Sequence, residues 1–362
     1  MSRSKPAVYA KMDPAHLFDG LFVPMNGVKR EMCSDGVLRR PRLLVGMRDF
    51  GGIQVGFQGF EQLGAGDQSL LLAIAYQLGT DGLLISSSRT QGKGPTSMDL
   101  WDRMGLKSEN APDKPIGAKK TTLHSLLIDA GYNPNKGTAK IKESLNRLAN
   151  AQVREKAAGW DRRSNLISTV FKDSGETYVA ANPRLTKAIF EGQHVKISLF
   201  ERNQLTSEVS KILHAWLCSN IRQGKSLGNG SGVKIDTLLP HVWGRNALND
   251  DRRRVSNKRA QLRDALAEID AELKGLHMGY GWVVDQTSSG IVQVSRPKDL
   301  PMIEAGAAGY SAPSEVQSAQ EADAARNWWD SGYRQESYFR MYNVKMPAEY
   351  TIRKCPPKRP KA

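Results

Sequence analysis

The stretch from Asn249 to Leu273 constrains this chain more than any other. At 100° per residue, Val255, Leu262, Leu266, Ile269 and Leu273 fall in one narrow stripe, so one face of a long helix is committed to a core. The far side of its first turns presents Arg253, Ser256, Asn257 and Ala260, with Gln261 and Arg263 on the flanks. Arg, Asn and Gln carry the paired donors and acceptors that match base edges in the major groove. Small Ser256 and Ala260 allow close approach. Arg252, Arg254, Lys258 and Arg259 lie to the sides, where contacts to phosphates supply affinity and register rather than sequence choice. Arg296, close behind the last strand, joins this set. The plainer alternative is a solvated amphipathic helix whose arginines extend into water.

The surroundings of this helix repeat a pattern met earlier in the chain. Gly66–Leu78 has helical periodicity, with Gly79 as its expected close; Thr96–Leu106, Thr122–Tyr132 and Thr138–Asn150 follow as helices. Strands are expected at Gln152–Glu155, Leu166–Phe171 and Thr177–Ala180. After a strand at Val195–Leu199 comes the periodic helix Ser207–Ile221, then a Gly/Ser/Lys-rich loop at Gln223–Gly232 and a short strand and helix at Ile235–Val242. The basic helix follows, and then a hairpin of Trp282–Val284 and Ile291–Val294. Each half is thus a helical cluster that ends in a basic helix and is followed by strands. That is the order of a winged helix, a helix-turn-helix with an added wing. The fold class expected is α+β, with tandem winged helices.

The boundaries follow from this reading: a basic N-terminal arm over 1–57, a first winged helix over 58–197 and a second over 198–298. A linker spans 299–325, and an aromatic and basic extension spans 326–362. The arm holds Lys29, Arg39, Arg40 and Arg42 and one hairpin around Gly51-Gly52. In the first winged helix, Lys140, Asn146 and Arg147 face away from Ile141, Leu145 and Leu148. Lys119 and Lys120 precede a helix, where phosphates often bind, and Arg162 and Arg163 fall in the expected wing. An ordinary charged surface explains these as well. The extension carries Trp328, Trp329, Tyr333, Tyr338, Phe339, Tyr342 and Tyr350 beside Arg334 and Arg340, suited to stacking on unpaired bases or to docking on protein.

Charge narrows the partners. Lys and Arg number 52 against 37 Asp and Glu, a formal net charge of +15 that favours a polyanion. No basic amphipathic helix suited to a membrane surface stands at either terminus, so nucleic acid is the expected partner. No apolar run reaches the length of a membrane span, and the opening residues lack the apolar core of a secretory signal. Three well-separated cysteines, Cys33, Cys218 and Cys355, fit a reducing cytoplasm and exclude a disulfide scaffold.

Enzyme signatures fail on inspection. Gly224-Lys225-Ser226 has the second half of a P-loop, but Ser219 occupies the first glycine position, and Gly92-Lys93 is followed by Gly94. The six histidines form no HExxH and no His-hydrophobe-His triplet; His214 reads as a core-edge residue. Asp250-Asp251 is explained by helix capping. No catalytic, cofactor-binding or metal-binding residue is expected.

Several separate runs resemble one family: DPAHLFDGLF (13–22), LGAGDQSLLLAIAYQLG (63–79), YVAANPRLTKAIFEGQHVKISL (178–199), SEVSKILHAWL (207–217), KIDTLLPHVWG (234–244) and GWVV with VSRPK (281–298). Together they look like RepC, the replication initiator of IncQ-type plasmids. Residues 23–57, the Gln223–Gly232 loop and residues 301–362 depart from it. The resemblance implies tandem winged helices that bind direct repeats, the iterons, in the plasmid origin. It implies help in opening the adjacent duplex for a plasmid-encoded helicase and primase, self-association, and no enzymatic activity. The second winged helix becomes the expected iteron reader. A winged-helix regulator on a palindromic operator, or a nicking or priming enzyme, are the alternatives.

Overall fold

From Tyr9 onward, the residues expected as an arm are built into the body of the protein. The structure is a computed structural model that describes residues 9–298, apart from 27, 29, 33–35, 37, 87–94, 110–113, 135–137, 193, 275–280 and 288–289. Strand β1 (Tyr9–Met12) pairs antiparallel with Val195–Ser198 and buries Ala10 and Met12. Asp13 caps the 3-10 turn Pro14–Leu17 by accepting from the Ala15 amide at 2.7 Å. Buried Leu21 and Phe22 follow, so this segment behaves as core because it is apolar, whatever its basic neighbours. Two short strands, β2 (Glu31–Met32) and β3 (Leu38–Arg39), precede the expected hairpin of β4 (Leu43–Phe50) and β5 (Ile53–Gly59). Gly51 and Gly52 turn it with φ of 61° and 85°, the pair of left-handed residues that a two-residue hairpin favours.

Helix α1 (Ala65–Asp81) is the centre of the fold. Leu70 to Ala75 are all fully buried, because α1 is apolar on nearly every side. It runs through Gly79, the expected close, to Gly82. Burial of Leu78 outweighs the roughly 1 kcal/mol that an internal glycine costs. Asp67, 1% exposed, accepts from the Gly64 amide (2.8 Å), Arg40 Nη1 (2.8 Å), Arg147 Nη2 (2.9 Å) and the Ser144 hydroxyl. One carboxylate therefore caps α1 and ties it to both neighbouring segments.

The remaining elements of the first half are β6 (Leu83–Ile85), α2 (Pro95–Arg103), β7 (Lys107–Glu109), β8 (Ile116–Thr122), α3 (Leu123–Asp129) and α4 (Ala139–Asn150), then β9 (Gln152–Ala157), β10 (Trp160–Asn165), β11 (Ile167–Phe171) and β12 (Glu176–Ala181). They build two antiparallel sheets, ordered β4-β5-β9-β10-β7 and β11-β12-β8-β6. Two helices that periodicity passed over follow. In α5 (Pro183–Glu191), Asn182 accepts from the Leu185 amide at 2.9 Å and Pro183 opens the first turn, a start signal present in the sequence. Strand β13 (Val195–Ser198) leads into α6 (Leu199–Gln204).

The second half is α7 (Glu208–Asn220), β14 (Val233–Lys234), α8 (Ile235–Trp243), α9 (Arg252–Leu273), β15 (Val283–Gln286) and β16 (Ile291–Ser295). Its sheet order is β14-β16-β15. The same unit is present in the first half: α1, β8, α3, α4, then hairpin β11–β12, with β8 bonded to β12 as β14 is to β16. The strands β9 and β10 are an insertion between the fourth and fifth members of that unit. One continuous core runs from Ala10 to Val294 through both halves.

His214 lies inside this core, fully buried, rather than at its edge. Its Nε2 is 2.9 Å from a Glu201 carboxylate oxygen and 3.7 Å from the Cys218 sulfur, and Trp282 meets the ring edge-on. Burial disfavours the imidazolium, but Cys218 and Glu201 outweigh it and raise His214 to about 9, above its usual 6.5. The stability this contributes is complete below pH 6.5 and is lost as pH rises through 9. The urea midpoint should therefore fall between pH 7 and 9, and His214→Gln should flatten that profile. Asp67→Ala should lower stability by about 3 kcal/mol in the same assay, since it strands buried donors while the guanidinium groups regain water.

Candidate nucleic-acid interface

Helix α9 begins three residues later than its periodicity suggests. Residues Arg245–Leu248 form a 3-10 turn that Asn249 closes, and Asp251 is the N-cap, accepting from the Arg254 amide at 2.9 Å. The buried stripe is the expected one with Ala265 added: Val255, Leu262, Ala265, Leu266, Ile269 and Leu273. It packs on α7, α8 and β15. Arg252, Arg253, Arg254, Ser256, Asn257, Gln261 and Arg263 are exposed together on the other side.

The cations of this face are not equivalent. Arg252 and Arg253 have no ion-pair partner among the described residues, while Arg254 lies 3.1 Å from Asp251. Lys258 donates to Asp250 at 2.7 Å and sits over the Trp243 ring. Arg259 forks onto Asp236 with contacts of 2.6 and 2.8 Å and holds that carboxylate below its usual range. Three of the four side chains assigned to phosphates, Arg254, Lys258 and Arg259, thus already have carboxylate partners, and the uncompensated charge is that of Arg252 and Arg253 at the first turn. Arg263, with Ile235, Gln286, Thr287, Gly290 and Ile291, lines a shallow cleft between α9 and the β15–β16 hairpin.

Arg296 does not belong to this surface. It is 8% exposed, donates to the carbonyls of Cys218 (2.5 Å), Ile221 (3.1 Å) and Lys196 (2.8 Å), and lies over Trp282. The carbonyls of Cys218 and Ile221 at the end of α7, with that of Lys196 on the neighbouring strand, draw the guanidinium inward.

The first half disperses its expected contacts. Lys140 and Asn146 are exposed on α4, but Arg147 turns back to Asp67. Lys119 and Lys120 lie in β8 rather than at a helix start, paired with Asp81 and Glu176. Thr122 already caps α3, accepting from the Ser125 amide at 3.1 Å. Arg162 is buried and paired with Glu155, and only Arg163 of that pair is exposed. Both sit on β10, one of the two inserted strands, whereas the hairpin that pairs with β8 as β15–β16 pairs with β14 is β11–β12. Sequence reasoning found the arginines near residue 40 but not their place: Arg30, Arg39 and Arg40 line a cleft with Asn146, Arg147 and Asn150 of α4.

Among the described residues, the one group with metal-ligand chemistry is Glu201, His214 and Cys218. It is buried and already joined by hydrogen bonds, so it serves the core. No helix among the described residues is long and apolar enough to cross a membrane.

The chain matches the Replication protein C (RepC) family over residues 7–298, which spans every described element. It belongs to the RepC family. Family membership makes it a plasmid replication protein, and the matched region includes the α9 face and the inserted strands. No curated protein matches the chain.

Two substitutions separate surface from support. Arg252→Ala should lower the salt dependence of DNA binding by about one counterion while leaving the urea midpoint unchanged. Arg296→Met should do the reverse, lowering the midpoint and leaving the salt slope unaltered.

Proposed function

We propose that this RepC-family protein initiates plasmid replication by binding direct repeats, the iterons, in its origin. In this reading, α7–β14–α8–α9–β15–β16 is a winged helix. Its helix α9 enters the major groove, and β15–β16 is the wing. Arg253, Ser256, Asn257 and Gln261 contact bases. Arg252 contacts phosphates, and Arg254, Lys258 and Arg259 join it by exchanging Asp251, Asp250 and Asp236 for phosphate. The observation that carries this reading is the exposed, unpaired Arg252–Arg253 pair on the first turn of a helix whose other face is buried. Uncompensated cations at one pole of a rigid helix are suited to a duplex.

The unit α1–β8–α3–α4–β11–β12 has the same topology and is the second winged helix of the proposal. It contacts DNA through Lys140 and Asn146, pairs with another copy, or does both. Binding of several copies to adjacent repeats bends the duplex at a cost of about 1–6 kcal/mol for 40–90°, which the summed contacts offset. The strained origin then opens for the plasmid's helicase and primase. The protein itself supplies binding and distortion, with no catalytic group, cofactor or metal in the cycle, and acts in the bacterial cytoplasm.

Footprinting on the plasmid's own origin tests this directly. Protection should recur on direct repeats at intervals of one or two helical turns. Arg253→Ala should weaken specific binding by about 1–3 kcal/mol and relax one base position. One protected palindrome at a promoter would make the protein a regulator instead.

A further inference from the structure

The chain carries a local charge reversal beside its most cationic helix. Residues 299–325 contain Asp299, Glu304, Glu315, Glu321 and Asp323 and no Lys, Arg or His, in a protein with a net charge of +15. These residues lie outside the described part of the structure, but the point at which they leave it is described. Val283 pairs with Ser295, and the neighbouring Val284 amide donates to Asp270 at 3.0 Å, so β16 ends alongside the last turns of α9. Exposed Lys298 follows. The unpaired arginines are at the other end of that helix. From Asp270 back to Arg252 the axis covers about 27 Å at 1.5 Å per residue. The 27 residues of this acidic segment have a contour length of about 90 Å, more than three times that distance. The segment is therefore long enough to place its carboxylates at the first turn of α9, as an intramolecular ligand whose linker spans the gap.

We propose that residues 299–325 act as an intramolecular phosphate mimic, occupying the Arg252–Arg253 face of α9 and competing with DNA that lacks the repeats. This rests on the proposed role of α9 in DNA binding. The segment commits to α9 because Arg252 and Arg253 are adjacent exposed arginines without an ion-pair partner among the described residues, whereas Lys119, Lys120, Arg147 and Arg162 already hold carboxylates. Carboxylates on a tether reproduce the charge that phosphates offer but not the base edges. Non-sequence-specific binding is almost wholly electrostatic. The segment therefore weakens it more than it weakens repeat binding, and the specificity ratio rises.

The test uses the full chain with Asp299→Asn, Glu304→Gln, Glu315→Gln, Glu321→Gln and Asp323→Asn combined, in the native background and with Arg252→Ala/Arg253→Ala. Affinity for a duplex of unrelated sequence is read by fluorescence anisotropy across a salt series. At about 50 mM salt, neutralisation should tighten that binding at least about threefold, with a smaller gain on repeat DNA and a gain that fades as salt screens the charges. The gain should vanish in the Arg252→Ala/Arg253→Ala background. Unchanged affinity after neutralisation would overturn the inference. So would an equal gain in both backgrounds, which would assign the acids to the basic tail beyond Arg353 or to net charge alone. If Arg252→Ala/Arg253→Ala by itself leaves DNA binding intact, the α9 reading fails, an outcome distinct from either of these.

Discussion

A single buried guanidinium joins the two halves of this protein. Arg202 is fully buried and donates to Gln68 (2.8 Å), the Ala65 carbonyl (3.3 Å) and Ser69 (3.3 Å) of α1, and to the Lys211 carbonyl of α7. Burial lowers it to about 10, so it is still charged at neutral pH. A buried charge is tolerated when its hydrogen-bonding capacity is filled, and here polar groups of two helices fill it. The first helix of each repeated unit is thereby held against the other. Everything that depends on the relative placement of α4 and α9 depends on this contact and on the continuous core around it.

Charge in this protein is of two kinds. Asp67 with Arg40 and Arg147, and Glu155 with Arg162, are buried or half-buried networks that orient segments. Arg296 works in the same way with carbonyls in place of carboxylates. Arg252 and Arg253 at the start of α9 are the opposite case, because neither has an ion-pair partner among the described residues to lose on meeting a polyanion. Lys258 and Arg259 are intermediate: each must leave a carboxylate to reach a phosphate, so each adds less to affinity than an unpaired cation would.

Periodicity located α4, α7 and α9 to within a few residues, because each has one apolar stripe that only a helix can bury together. It stopped α1 early at Gly79, since propensity is local and the burial that overrides it is not. It passed over α5, although Asn182-Pro183 announces a helix start, and over α6, which has six residues. Strands were legible at Gln152–Glu155, Leu166–Phe171 and Thr177–Ala180, but β10, which carries Arg162 and Arg163, was not, and β9 was not separated from the hairpin β11–β12. Only the pairing of β8 with β12 shows that β9 and β10 stand apart from that hairpin.

The amino-acid sequence by itself determined which helix faces are apolar, where the hairpins turn, that the chain is strongly basic, and the family to which its separated runs belong. These are properties of residues a few positions apart, and the chain carries them whatever it packs against. The tertiary structure decided which cations are available. Arg253 and Arg296 are alike in sequence. One meets solvent and has no ion-pair partner among the described residues; the other is drawn inward by three carbonyls, two of them at the end of α7. Whether a charge is spent on the fold or left for a partner depends on groups brought close from distant parts of the chain, and that proximity exists only once the core has formed.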